Sequence, residues 1–534
     1  MLDVAIRGAE VIDGSGNAKF LADVGIDGEK IVAIGHVPLA RTEVNGQGLT
    51  LSPGFIDPHS HSDWTLHSNP LTESSIRQGV TTEIVGNCGF SSAPLSNESA
   101  NFIELKLKNY AYEGEVRWRT FGEYLEQIEI MKTSTNFAFL IGHNNLRFAA
   151  GLNGEEKVRE DHLKLMRVLI ADSMEAGALG LSSGLEFAPG LYCQTNELTS
   201  IIDAVAKFDG IYASHVRNRD SEIFAAINEF VEIIRAGNGR VRGQISHFNV
   251  RHDSNAPDDA WNRAVGIMKD AQRSGLDIAA DTTPFRYGIG EMYAILPKWL
   301  INKGPKAIAE AAQDKEMRKQ LRNECDRYWR FIHKGQWHRV RLEGSPDFPE
   351  LQGLSFPEIA QILKKDEWDC YFDIIAAAGE KCDHLIMVGE LFTEEHLAEM
   401  ISHPDFSLGV DGYTSVVGGE LGSITASQHP YCGHIEYLAH HVREKKTIPL
   451  ELAIHKMTKK PAERFGLRGR GEIKTGNYAD LVLFDAERVR SKSTVENPQV
   501  YPEGIKIVVV NGEIVVNSGV HNGNRPGKVL RRGD

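Results

Sequence analysis

Between residues 51 and 465 the chain alternates short apolar runs with longer amphipathic stretches, and this alternation constrains the fold more than any other feature. The runs at 81–85 and 137–141 are typical of buried strands, and helical spacing follows at 160–176 and 221–236. Strands that alternate with helices form parallel sheets. The number of such units predicts an α/β fold, a closed (β/α)8 TIM-like barrel.

The two ends of the chain have a different character. Residues 1–52 and 467–534 consist of short β-branched runs separated by turns, and Asn511-Gly512 between two such runs is a strong hairpin signal. These ends predict one small β-sandwich domain formed by both termini. The barrel then occupies 53–466.

One part of the middle fits the alternation poorly. The segment 288–350 is helical and charged and contains Trp299, Trp329 and Trp337. We interpret it as an insertion on the barrel, and a lid over the barrel mouth is one role for it.

Composition excludes some partners. The chain has 59 Lys+Arg and 73 Asp+Glu, a net charge of −14, which disfavours nucleic acid and anionic membranes because both bind basic surfaces. The six cysteines lack a CxxC pair, and we find neither a signal-peptide pattern nor a long apolar run. We therefore expect a cytoplasmic protein that binds neither nucleic acid nor membrane, and the sequence is compatible with a homo-oligomer.

Candidate metal ligands lie at the ends of the predicted strands. His59 and His61 stand at positions i and i+2 of an extended segment, so both rings can reach one ion. Such a pair alone is weak evidence, since it also occurs on protein surfaces. His215, His247 and Asp411 each end an apolar run, and strand ends of a barrel converge on one face. Their shared position makes a common site the stronger interpretation.

The chain resembles the amidohydrolase superfamily and, within it, the N-acyl-D-amino-acid deacylase (D-aminoacylase) family. The signature Gly86-Asn87-Cys88-Gly89 is specific to that branch. The resemblance spans nearly the whole chain, on segments 53–63, 79–89, 180–185, 214–217, 245–247, 461–467, 476–482 and 510–512.

The resemblance implies roles for the strand-end residues. Cys88 would replace the modified lysine that bridges metals elsewhere in the superfamily, and with His215 and His247 it would form a tight zinc site. His59 and His61 would serve a weaker second site or the edge of the first. Asp411 would be the general base that takes a proton from zinc-bound water and delivers it to the leaving nitrogen.

Around the substrate the chain departs from the family pattern. Asn249 stands near the place of a lysine, Phe285 ends the segment in which the family has Asp-x-Tyr-Pro-Tyr, and Tyr431 replaces an arginine. A substrate carboxylate needs a charged partner in a partly desolvated pocket. Arg217, Arg251 and Arg286 are candidates for that charge, and the alternative for each is an ordinary surface arginine.

Several functions remain open at this point. The leading one is zinc-dependent hydrolysis of a linear amide of the N-acyl-D-amino-acid type. An amidase for neutral or aryl amides is close behind, because the lost positive groups and the aromatic residues favour an uncharged amine half. A cyclic-amide hydrolase of the dihydroorotase or hydantoinase kind is disfavoured by Cys88. A non-catalytic relative is disfavoured because all the ligand positions are filled.

Overall fold

The computed structural model describes residues 1–344, 348–425, 427–495 and 497–534, so positions 345–347 of the predicted insertion lie outside the described residues. The described strands are β1 (Leu2–Val11), β2 (Phe20–Asp27), β3 (Lys30–Gly35), β4 (Ala40–Asn45), β5 (Thr50–Pro53), β6 (Phe55–Asp57), β7 (Val80–Val85), β8 (Asn136–Gly142), β9 (Gly180–Gly184), β10 (Ile211–His215), β11 (Arg242–Ile245), β12 (Ile278–Thr282), β13 (Tyr287–Glu291), β14 (Val340–Gly344), β15 (Ile386–Glu390), β16 (Phe406–Leu408), β17 (Leu481–Phe484), β18 (Ile505–Val510), β19 (Glu513–Asn517), β20 (Val520–His521) and β21 (Val529–Leu530).

The described α-helices are α1 (Glu73–Ile76), α2 (Asn97–Lys108), α3 (Phe121–Met131), α4 (His143–Ala149), α5 (Glu160–Ala176), α6 (Thr195–Ala206), α7 (Ile223–Ala236), α8 (Ala260–Arg273), α9 (Lys298–Ile301), α10 (Gly304–Gln313), α11 (Lys315–Glu324), α12 (Phe356–Leu363), α13 (Glu367–Ala378), α14 (Glu394–Ser402), α15 (Gly419–Ile424), α16 (His429–Glu436), α17 (Leu450–Met457) and α18 (Lys459–Phe465). A π-helix follows at Tyr437–Glu444, and 3-10 turns lie at Ser62–Trp64, Gly190–Tyr192, Met292–Ile295, Trp337–Arg339, Pro349–Leu351 and Gly379–His384. Within the described ranges, no helix is both long and apolar enough to cross a membrane.

The barrel predicted from the alternating pattern is confirmed. Its eight strands lie side by side in the order β6-β7-β8-β9-β10-β11-β12-β16, and every pairing between neighbours is parallel. The loops that follow the first and last strands close the ring, where Ser60 bridges Gly412 and the Asp411 N–H donates to the His59 carbonyl at 2.9 Å. All loops that follow the strands therefore meet at one mouth.

The helices around the barrel form because their apolar residues recur at helical spacing. In α7, Ile227, Phe230, Val231 and Ile234 share one buried face, and their burial against the strands contributes about 1.5–3 kcal/mol per side chain. The strands read as continuous apolar runs because both of their faces are covered.

The β domain combines strands from both ends of the chain in one sheet. Its order is β20-β19-β18-β17-β5-β1-β2-β3, with β4 also paired to β1. Strand β1 pairs with β4 along residues 2–7 and with β5 at Glu10 and Val11. The sheet therefore folds over its own apolar core. One predicted member lies elsewhere: Val529 and Leu530 pair with Phe137 and Ala138 of β8, at the edge of the barrel.

The inserted unit is longer than the segment 288–350 that the sequence indicates. It lies between β12 and the barrel helix α14, and its three strands form an antiparallel sheet in the order β13-β15-β14. Because β15 pairs with both other strands, the unit closes on itself only at residue 390. Apolar periodicity does not reveal such a pairing, since its partners are about 100 residues apart in the chain.

Candidate metal centre

Six side chains meet at the mouth of the barrel, each on a segment that leaves the end of a strand. Three of them, Cys88, His215 and His247, have ligand atoms within 4.8 Å of one another. A second group of the same compactness shares Cys88 and adds three further residues, His59, His61 and Asp411. The structure thus brings together all six residues that the sequence predicts as metal ligands or general base.

Cys88 occupies the centre of the cluster. Its Sγ lies 3.3 Å from His59 Nε2, 3.6 Å from His247 Nε2 and 3.7 Å from His215 Nδ1. The same His59 Nε2 atom lies 3.3 Å from Asp411 Oδ1, which is also 3.2 Å from His61 Nε2. Cys88 is therefore the one residue placed to contribute to both groups.

The donor set fits zinc. Zinc–sulfur bonds of about 2.3 Å and zinc–nitrogen bonds of about 2.0–2.1 Å at tetrahedral angles require sulfur–nitrogen separations of about 3.5 Å. The separations from Cys88 to His215 and His247 agree with that value. One thiolate and two imidazoles also leave a fourth position open, which is the pattern of catalytic zinc sites.

Glycines allow the Cys88 loop to pass close to its neighbours. Gly86 has φ +81°, and a Cβ there would lie 2.2 Å from the Leu140 carbonyl oxygen. Gly89 has φ +80°, and its Cβ would lie 2.5 Å from the Gly184 nitrogen. A side chain at either position would push the loop, and Cys88 with it, away from the histidines.

Three of the six site residues hold left-handed backbone conformations. Cys88 has φ 52°, His247 φ 35° and Asp411 φ 57°, and none of them is the glycine that favours this region. Each such residue costs about 1–3 kcal/mol, which persists only where the surrounding structure enforces it. The backbone is therefore fixed by the fold in the shape that the side-chain cluster needs.

Asn87 links the segment that carries His59 and His61 to the loop that carries Cys88. Its Nδ2 donates to the Ile84 carbonyl at 2.9 Å and lies 3.4 Å from the carbonyls of Pro58 and Ser60. The residue is buried. It therefore fixes the His59–His61 segment relative to the Cys88 loop.

Partners outside the cluster orient two of the histidines. His215 Nε2 lies 2.7 Å from Glu186 Oε2, which leaves Nδ1 to face Cys88. His59 Nδ1 lies 3.3 Å from the buried Asp281, whose Oδ1 also accepts the His247 backbone N–H at 2.7 Å. Carboxylates behind ligating histidines fix the tautomer and the ring orientation.

The charges of the cluster determine which groups are ionised. Burial raises the pKa of the Cys88 thiol, but the His59 charge and hydrogen bonds from the histidines outweigh it and hold the pKa well below its ordinary value. For Asp411, burial also raises the pKa, and the charge of His59 together with hydrogen bonds from His59 and His61 outweighs it. The site therefore presents a thiolate ligand and an ionised carboxylate.

A cavity of about 360 Å³ opens directly above the cluster, and Cys88, His215, His247 and Asp411 line its base. Its walls come from α2, the loops after the first strands and the inserted unit, and they are mainly apolar and aromatic. Two cationic side chains other than histidine line it within the described residues, Lys106 and Arg219.

Of the six residues that the sequence suggests for substrate binding, the structure places Asn249 on the cavity. The three arginines lie outside its lining and are paired. Arg217 forms a two-point contact with Glu229, at 2.8 and 2.9 Å. Arg251 binds Glu186, and Arg286 Nε lies 3.1 Å from Glu394 Oε1.

The two aromatic candidates also lie outside the cavity lining. Phe285 is buried and packs on Tyr287 and His429, with ring centroids 5.1 and 4.5 Å away. Tyr431 is fully buried, and its hydroxyl lies 3.1 Å from Ser415 Oγ. These side chains support the loops of the mouth rather than face the space above the cluster.

Sequence reasoning missed Arg219, Glu186 and Asp281 as functional residues. Arg219 lies four residues after His215, and that spacing past a strand end was the available signal for it. Glu186 holds a similar position two residues after β9. Asp281 was visible only as part of a motif, and its contact with His59 depends on the closed barrel.

Comparisons with known proteins agree with this geometry. Residues 405–516 match the profile of the "Amidohydrolase family". The chain is 30% identical to the N-acyl-D-glutamate deacylase of Alcaligenes xylosoxydans xylosoxydans, over 99% of this chain and 97% of the relative. It also resembles, at 26% identity and a TM-score of 0.81 over 99% of both chains, the structure of the N-acyl-D-glutamate deacylase from Bordetella bronchiseptica with zinc and a phosphonate inhibitor.

A further solved structure is similar over the full length of both chains. It is a D-aminoacylase described by the functional role of its binuclear metal centre, with a TM-score of 0.81 and 27% sequence identity. The similarity covers 100% of this chain, so it includes the β domain and the inserted unit as well as the barrel.

Proposed function

The chain belongs to the D-aminoacylase family of the amidohydrolase superfamily, and from this premise we propose that it is a zinc-dependent hydrolase of the linear amide bond in N-acyl-D-amino acids. The observation that carries the proposal is the convergence of Cys88, His215 and His247 beneath a cavity that Asp411 also lines. A metal-dependent amidohydrolase needs this combination of ligands, base and substrate space at one point.

Cys88, His215 and His247 would hold the zinc ion. Zinc in such a site acts as a Lewis acid: it lowers the pKa of a coordinated water toward about 7 and polarises a carbonyl group. Cys88 is already a thiolate, and burial with the charge of Arg219 lowers the pKa of His247 to about 4, so both are in the form that binds metal.

Asp411 has the position and the charge state of a general base. Its side chain is 30% exposed, so it can be reached from the cavity, and its low pKa leaves the carboxylate ionised at neutral pH. In the proposed reaction it accepts a proton from the attacking water and returns it to the leaving nitrogen. Contacts with His59 and His61 hold the carboxylate in place between these events.

We propose one tight zinc per chain and a second, weaker site at His59 and His61. Cys88, His215, His247 and His59 are nearly inaccessible, whereas the His61 side chain is 20% exposed, so water can compete for one ligand of the second site. The solved D-aminoacylase named for its binuclear centre is described as activated by one metal and attenuated by a second. That description supports the same division between the two groups here.

The substrate class rests on the relatives and on the cavity. The curated relative acts on N-acyl-D-glutamate, and the cavity here is large enough for an acyl amino acid with an apolar acyl group. A second candidate is hydrolysis of neutral or aryl amides. It is favoured by the pairing of Arg217, Arg251 and Arg286 with carboxylates away from the cavity.

Other functions have less support. A cyclic-amide hydrolase would use a modified lysine at the shared ligand position, which Cys88 fills here. A non-catalytic role would not require a complete ligand set. All six cysteines are free and buried, which supports our expectation of a reducing, cytoplasmic setting.

The test is a matched panel on protein of known metal content. N-acyl-D-amino acids, their L forms, and neutral anilides and alkyl amides with the same acyl group are compared by kcat/KM. We expect about one tightly bound zinc and a preference for the D acids. Efficient cleavage of neutral amides with no use of the D acids would favour the second candidate, and protein without a stoichiometric transition metal would refute the proposal.

A further inference from the structure

We propose that Arg219 binds the carboxylate of the substrate. The inference rests on the proposed function and names the residue that selects for an amino-acid leaving group. Arg219 lies four residues after His215, lines the cavity and is only 5% exposed. No other arginine of the described residues lines this cavity.

The guanidinium group lies against the metal ligands. Its Nη1 is 2.9 Å from His247 Nδ1, and its Nη2 is 3.2 Å from His215 Nε2. In an N-acyl α-amino acid, a single carbon separates the carboxylate from the amide nitrogen. A group that binds this carboxylate must therefore lie next to the ligands that surround the scissile bond, as Arg219 does.

The neighbours of Arg219 do not satisfy its donors. A histidine that binds metal through Nε2 carries its proton on Nδ1, and arginine has five N–H donors and no acceptor. The contact between Arg219 and His247 Nδ1 then joins two donors, so it cannot be a hydrogen bond once His247 ligates a metal. The Arg219 Nε is also buried, and it has no hydrogen-bond partner among the described residues.

The nearby carboxylate is already shared. Glu186 Oε2 lies 3.3 Å from Arg219 Nη2, but the same residue binds Arg251 and accepts from His215 at 2.7 Å. Arg217, by comparison, has Glu229 as its own two-point partner. Arg219 is thus a buried cation that lacks a carboxylate of its own and faces the substrate space, which is the arrangement expected for an anion-binding group.

Lys106 is the other candidate for this role. It lies on α2, on the opposite side of the mouth from the segments after β10 and β11, because α2 follows β7 in the barrel order. Two acidic residues of the inserted unit, Glu291 and Asp383, act on its charge and raise its pKa, although burial alone would lower it. Lys106 therefore has anionic neighbours on its own side of the mouth, whereas the Glu186 carboxylate in contact with Arg219 is shared with Arg251 and His215.

The experiment compares pairs of substrates that differ only in the carboxylate: an N-acyl-D-amino acid and its C-terminal carboxamide. We expect R219Q to lower kcat/KM for the acid by about 10- to 100-fold more than for the carboxamide, the usual effect of losing a hydrogen bond to a charged group. R219K, which keeps the charge, should keep part of the preference. K106Q should leave the ratio between acid and carboxamide unchanged.

Binding supplies a readout that does not depend on turnover. Calorimetry compares the D411N variant with the D411N/R219Q double variant. We expect the double variant to bind the acid more weakly and the carboxamide equally well. R263Q, a change at an exposed arginine of α8, is the matched control and should alter neither ratio. Zinc content is measured for every variant.

Each outcome is decisive. If R219Q leaves the ratio of kcat/KM between acid and carboxamide unchanged, or if K106Q removes the preference for the acid instead, the role of Arg219 is overturned. Amide hydrolysis as the proposed function would still stand. Loss of zinc in both R219Q and R219K would show that Arg219 positions His215 and His247 rather than binding substrate. If the wild-type protein cleaves neither member of the pair, the proposed function itself fails.

Discussion

The base and the wall of the cavity are built in different ways. The base is the cluster of candidate metal ligands with Asp411, whose members follow strand ends and are held by buried partners such as Asn87 and Glu186. The wall consists of α2 and the inserted unit, and it includes side chains such as Leu105 that are 54% exposed. The barrel therefore determines the chemistry, while segments between its strands determine what enters.

The largest effect is expected at the shared residue of the base. Cys88→Ala should abolish both tight zinc binding and activity, because it removes the ligand common to both groups. Elemental analysis and turnover measure the two losses. Cys325→Ala, a buried cysteine of the inserted unit, should retain zinc, and equal metal content in the two variants would contradict the assignment of the centre.

Asp411→Asn should lower kcat by about 10²–10⁴-fold while zinc stays bound, the usual contribution of general acid–base catalysis. The amide keeps the shape of the carboxylate but cannot accept the proton. Steady-state kinetics with parallel metal analysis measure the effect. Near-normal turnover would mean that another side chain of the cluster, and not Asp411, transfers the proton.

A change in the wall should alter stability rather than chemistry. Burial raises the pKa of Glu343 in the inserted unit to about 8, and within the part of the chain that the structure describes its Oε2 has no hydrogen-bond partner. Since the folded protein keeps this proton and the unfolded chain loses it above its ordinary pKa of 4.5, stability falls as the pH rises toward 8.

Glu343→Gln should remove that loss. We expect its unfolding midpoint to exceed that of the wild type at pH 8, with a much smaller difference at pH 5 and with kcat retained. Thermal unfolding at both pH values gives the comparison. A difference that is equal at the two pH values would contradict the titration of Glu343.

The smallest effect is expected at an apolar wall position. Ile308→Ala on α10 should raise KM by about 2- to 10-fold with kcat nearly unchanged, because it removes apolar contact without touching the reacting groups. Ile130→Ala, at an exposed position away from the cavity, is the control. A large loss of kcat in I308A would show that the wall takes part in the chemistry.

The same contrast explains what could be predicted from the sequence. The base was predictable because strand ends of a barrel converge, so residue type and position sufficed for His215 and Asp411. The substrate-binding residues were not, because Arg286 is held away from the cavity by Glu390 and Glu394, more than 100 residues along the chain. The extent of the inserted unit depended in the same way on the long-range pairing of β15.

Arg219 shows more clearly what the sequence alone does not predict. The departures from the family pattern implied that a cation from a new position would be needed, and three arginines were named for it. Arg219 lies two residues after one of them, Arg217, yet the two side chains contact different partners. Which of two nearby arginines faces a cavity is decided by loop geometry, which local sequence pattern does not encode.

The pairing of Leu51 with Leu483 has a consequence for how the chain acquires its structure. During synthesis the barrel units can associate with neighbours already made, since consecutive strands lie side by side. One edge of β5 pairs with β17, which is synthesised more than 400 residues later. Until then this edge and the apolar face of β5 stay uncovered. We therefore expect the β domain to complete its sheet only after β17 has been synthesised, and the unpaired edge of β5 is open to association with other chains until then.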